Sequence, residues 1–146
     1  MQRPSRDPTY KSASCEAACL TAFGAIGTVN VIDMRSEARR AIKIIKRPPV
    51  CYERAIPSLS WGYGVSPSDK SRSKPLLAIG WDKVIKLMSL DDDAQDLQNC
   101  GYYISEIEIN QVQFVSDSVL AVLVNGNEVK VLSTDRFMAG DIRDIS

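Results

Sequence analysis

Residues 28–34, 84–90 and 128–134 repeat one pattern of apolar and polar positions. From its second residue each copy reads aliphatic, polar, aliphatic, aliphatic, then Asp or Ser. Each follows an apolar run (18–23, 76–79 and 119–124) across a short break that contains Gly or Asp. Breaks of this kind between β-prone runs signal hairpins. The copies begin 56 and then 44 residues apart, and about 40–50 residues per repeat is the spacing of four-stranded propeller blades. A loop over 62–74, rich in Gly, Ser, Pro and charge, accounts for the longer first offset.

The continuous apolar runs 76–79 and 119–124 predict strands covered on both faces, because one solvated face would have imposed alternation. Around them the pattern predicts a first strand beginning near Cys15 and a first hairpin over 17–23 and 28–34. After a charged connection at 35–40, an outer strand over 41–46 is stopped by Pro48 and Pro49, since proline cannot donate to a ladder. A strand over 57–61 places Leu59 and Trp61 on one face, and 111–114 is its counterpart. The middle unit is expected to end in an outer strand over 102–109, after an acidic loop at 91–99, whereas 135–146 is too polar to predict a further strand. The fold class expected is all-β: antiparallel four-stranded blades of a partial, WD40-like propeller of about three blades. The blades span about 15–47, 57–109 and 111–146, behind a disordered lead-in at 1–14.

Leu77, Ile79, Leu87, Val122 and Val131 are the expected core between stacked sheets. Closed rings use roughly four to eight blades. Fewer than three leave the first and last sheets short of a neighbour, with Val29, Val31, Val129 and Val131 among the residues of those faces.

The chain has 146 residues, 45% hydrophobic and 25% charged, which is enough for one domain with a real core. Eighteen basic and 18 acidic residues cancel, so no global field draws it to nucleic acid or membrane. The polarity is local: residues 35–54 hold seven Lys or Arg against two Glu, and 91–110 hold six acids and no base. There is no histidine, which removes Ser-His-Asp and Cys-His hydrolases. Cys15, Cys19, Cys51 and Cys100 show no Cys-x-x-Cys spacing, so neither a zinc site nor another cofactor is expected. With no signal-peptide pattern near Met1 and no apolar run approaching 20 residues, a cytosolic chain with reduced thiols is expected.

Arg39, Arg40, Lys43, Lys46 and Arg47 form one candidate basic surface for anionic lipid or an acidic protein partner. It lacks the interleaved aromatics that stack single-stranded nucleic acid, and no nucleic-acid partner is expected. The competing reading is a solvated outer edge whose lysines discourage edge-to-edge pairing. Asp91, Asp92, Asp93 and Asp96 offer a divalent cation some oxygens, without the spacing or central Gly of an EF-hand loop. Gly62-Tyr63-Gly64 reads as a flexible turn after Trp61. The Trp81-Asp82 dipeptide sits in a turn between two strands, whereas the WD signature closes a strand.

Arg47-Pro48-Pro49, Ile56-Pro57-Ser58-Leu59-Ser60-Trp61-Gly62-Tyr63-Gly64, Pro75-Leu76-Leu77-Ala78-Ile79-Gly80-Trp81 and Gly101-Tyr102-Tyr103-Ile104 resemble the N-terminal propeller of the vacuolar protein sorting-associated protein 8 family. That family supplies the endosome-specific subunit of the CORVET tethering complex. The resemblance runs over roughly residues 17–137 and is sharpest over 56–81. It implies a non-enzymatic scaffold, peripheral on endosomes, that engages Rab-type GTPases and other tethering subunits before fusion. Family members also carry a helical solenoid and a zinc-binding RING end, which these residues do not contain, so tethering by this chain alone is not implied. The alternatives are a propeller scaffold of another trafficking assembly (HOPS, a coat or ciliary transport) and a small metal-binding β-domain enzyme using residues 91–96.

Overall fold

Leu76 and Leu77 are adjacent in the chain and both are fully buried, yet they belong to different cores. Successive side chains of a strand point to opposite faces, so their sheet is covered on both. The computed structural model describes residues 11–15, 19–35, 41–52, 55–70, 73–90 and 96–142, and these form three antiparallel sheets. The first holds β1 (Lys11–Cys15), β2 (Leu20–Ala25), β3 (Thr28–Asp33) and β4 (Ala41–Lys46) in chain order. The middle sheet holds β5 (Ser58–Val65), β6 (Ser73–Trp81), β7 (Val84–Leu90) and β8 (Leu97–Ile104). The third holds β9 (Ile109–Ser116), β10 (Val119–Val124) and β11 (Glu128–Ser133). The 3-10 turn Thr134–Arg136 then leads to β12 (Met138–Ala139), which returns to the middle sheet and pairs with β8. The fold is all-β, and among the described residues no sheet closes on itself.

Leu77, Ile79, Trp81, Val84, Met88 and Leu90 of the middle sheet pack on Leu20, Ala22, Val29 and Val31 of the first. Leu76, Ala78, Ile85 and Leu87 pack on Val112, Leu120, Val122 and Val124 of the third. Full burial of such a side chain contributes about 1.5–3 kcal/mol, so the middle sheet carries much of the stability. The seam between β5 and β9 is polar as well as apolar: Ser58 Oγ accepts from Val112 N and Ser60 Oγ from Phe114 N, each at 3.0 Å. Two β5 serines thereby satisfy amides on the edge of β9, which explains why they are buried.

The outer strand β4 and the strands β10 and β11 fall where the apolar pattern predicts them. Elsewhere there are corrections. β1 occupies residues 11–15, partly within the expected lead-in, because Ser12, Ala13 and Ser14 pair with β2 and Trp61 Nε1 donates to Ala13 O at 2.9 Å. Residues 1–10 lie outside the described set. The first hairpin turns at Ile26-Gly27 alone, with Gly27 at φ +84°. Gly62-Tyr63-Gly64 is not a turn: it belongs to β5, which runs to Val65, so the connection to β6 is shorter than 62–74. β8 begins at Leu97 rather than at residue 102, since Leu97 and Cys100 are buried against opposite cores. Trp81 ends β6 and only Asp82 and Lys83 form the turn. Val131 is 65% exposed, not core; it shares the outer face of the third sheet with Val129, at 63%. Only alternate residues of β10 are buried, so that strand is covered on one face. Val29 and Val31, expected on an uncovered face, are fully buried against the middle sheet.

Candidate functional site

The first and middle sheets meet closely where β1 and β2 lie against β5, and they leave a cleft of about 510 Å³ between β4 and the β7–β8 pair. One wall is made by the consecutive residues 43–47, with Pro49. Neighbouring side chains in a strand face opposite ways, so a cleft lined by consecutive residues runs along the strand's edge. The opposite wall is Lys86, Met88 and Asn99 from the face of the middle sheet.

Three residues of the sequence-derived basic surface, Lys43, Lys46 and Arg47, come together here. Arg39 and Arg40 lie outside the described residues. The Arg47 guanidinium donates to the carbonyls of Pro48 and Cys51, which ties the end of β4 to the turn after it. Lys43 Nζ lies 3.6 Å from Asp96 Oδ1, both partly exposed, a pairing worth little by itself.

The fourth cation, Lys86, is one that sequence reasoning missed. It is 5% exposed and sits 3.6 Å from Asp141 Oδ1. Asp141 Oδ2 also accepts from Asn99 Nδ2 at 2.8 Å, and Asn99 Oδ1 is buried without a hydrogen-bond partner among the described residues. A lysine in the middle of a strand covered on both faces is the available signal, because a buried ammonium requires a partner. That partner comes from beyond β12, in a segment whose polarity conceals its return to the middle sheet.

Of the acidic candidates, Asp91, Asp92 and Asp93 lie outside the described residues. Asp96 opens β8 and accepts from Leu97 N at 2.8 Å. Among the described residues no group of three or more His, Cys, Asp or Glu is placed to hold a metal ion. No helix among them is long and apolar enough to cross a membrane. The buried thiols are inert in character: burial pushes Cys51 and Cys100 each up to about 11, and their sulfurs donate to the carbonyls of Trp81 and Leu87 at 3.3 Å.

No protein-family model and no curated protein matches the chain.

Proposed function

We propose that the chain is a non-enzymatic interaction module of an endosomal vesicle-tethering subunit of the CORVET kind, built as part of a β-propeller. The observation that carries the reading is the fan of sheets. The first strands β1, β5 and β9 pack on one another in turn, while β4 and the β7–β8 pair are separated by a cleft. Radially repeated blades approach at the axis and diverge outward, so this arrangement supports a propeller segment. The sharpest part of the family resemblance, residues 56–81, falls on β5 and β6, the strands at the centre of the fan. Engagement of a Rab-type GTPase at endosomes is the role proposed for it.

The test is binding of the purified chain to endosomal Rab-type GTPases loaded with a non-hydrolysable GTP analogue or with GDP. Binding that requires the triphosphate form is expected. Equal binding to both forms, or none to either, overturns the proposal.

A further inference from the structure

We propose that the free edge of β4 is a docking strand for an extended acidic peptide segment, which would add to the first sheet and lie in the cleft against Lys86, Met88 and Asn99. The backbone is set for it. Arg47 N donates to Gly27 O at 3.0 Å, which makes Gly27 and Arg47 a hydrogen-bonded pair at the end of the β3–β4 ladder. Such pairs alternate in antiparallel strands, and the register Val29↔Ile45, Val31↔Lys43 directs the amides of Ile45 and Lys43 to β3 as well. Ile44 and Lys46 therefore turn their N–H and C=O groups to the opposite side. No strand pairs with that side among the described residues.

The middle sheet shows how such an edge is completed. Its outer strand β8 is covered by the two-residue β12, with Met138 opposite Tyr102 and Ala139 opposite Gly101. What distinguishes β4 is charge. Lys43, Lys46, Arg47 and Lys86 line its cleft, beside the carboxylates of Asp96 and Asp141, so basic groups outnumber acidic ones there among the described residues. Lysines that only protect an edge project into solvent; here Lys43 shares a concave site with a buried Lys86. A peptide adding as a strand sends alternate side chains to each face. Acidic residues on the inner face would meet Lys43 and Lys86. Main-chain pairing supplies affinity and the charges select the sequence, as in other strand additions.

The experiment titrates the full chain into a fluorescein-labelled peptide in which glutamate and valine alternate, at low and high salt. Salt-sensitive binding is expected. Methylating alternate amide nitrogens of the peptide, or the Lys43→Glu, Lys46→Glu double substitution, should each weaken binding at least about tenfold. Ile44→Pro should abolish it, because that N–H points away from β3 and an edge strand tolerates proline there. If circular dichroism shows Ile44→Pro unfolded, the double lysine variant and the methylated peptide carry the test. Equal affinity for the methylated peptide, or for one alternating lysine and valine, overturns the proposal. So does binding to phosphatidylserine vesicles with none to the peptide. GTPase binding measured in parallel reports separately on the tethering role.

Discussion

Gly62 of β5 lies so close beneath Phe114 of β9 that a Cβ built on it would overlap the phenyl ring. The backbone of the middle sheet thus serves as the packing surface for the third, and Gly64 makes the same approach to Ser118, whose N–H donates to Tyr63 O at 2.8 Å.

Gly62→Val should destabilise the fold by about 1–3 kcal/mol through overpacking. Phe114→Ala should relieve part of that cost, so the double variant is less destabilised than the sum of the singles. Urea denaturation of the four proteins measures the coupling. Strict additivity would show that β5 and β9 are further apart than described.

Leu77 and Val131, both expected in the core from the sequence, should behave in opposite ways. Leu77→Ala, fully buried between two sheets, should cost about 2–5 kcal/mol. Val131→Thr, on an exposed face, should change stability by no more than about 0.5 kcal/mol. Thermal melting of both variants decides, and similar losses would count against the one-sided third sheet.

The outer face of the third sheet presents Val115, Val129 and Val131, all more than half exposed. Contiguous apolar sheet faces drive association. Light scattering of the isolated chain should therefore show concentration-dependent oligomers, reduced by Val129→Lys with Val131→Lys. A compact monomer for the wild type would remove the argument that this face awaits a covering layer.

Which strands form was legible because aliphatic runs and Gly-containing turns are local. Val84–Leu90 and Glu128–Ser133 emerge from spacing alone. What faces those strands was not, because Val31 and Val131 occupy the same place in the repeat and only the stacking order buries one and exposes the other. Strands that are polar, or short within a polar segment, escape sequence reading for a related reason. Lys11–Cys15 is held by the β2 ladder and by Trp61, and Met138–Ala139 by β8, partners distant in sequence. In the cleft, Lys43, Lys46 and Arg47 could be read as a cluster, whereas Lys86, Asn99 and Asp141 are joined only by tertiary structure.

The thiols give a pH window. Burial raises Cys51 and Cys100 from 9.0 to about 11 in the folded chain, so each folded thiol holds its proton more tightly than the unfolded one. Their contribution is complete below pH 9 and is lost as pH rises toward 11. Urea midpoints should fall over that range, less steeply in Cys51→Ala with Cys100→Ala. Identical slopes would place both thiols in water.

The Lys86–Asp141 pair provides the sharpest test of how the last described residues close the fold. The two side chains are 6% and 9% exposed, and Asp141 is also held by Asn99. Asp141 follows β12, so the ion pair and the short β8–β12 ladder anchor the same segment. Removing one partner of a buried pair typically costs about 3–5 kcal/mol, while replacing both by apolar residues is often neutral. Asp141→Ala and Lys86→Met should each be strongly destabilising, and Lys86→Met with Asp141→Leu much less so than either. Hydrogen exchange on Tyr102 and Met138, which face each other across the β8–β12 ladder, should rise in Asp141→Ala as β12 detaches. If the single variants melt like wild type with those amides still protected, the pair is solvated and the return of the chain to the middle sheet rests on Phe137 and Ile142, which are buried in the third-sheet and first-sheet cores.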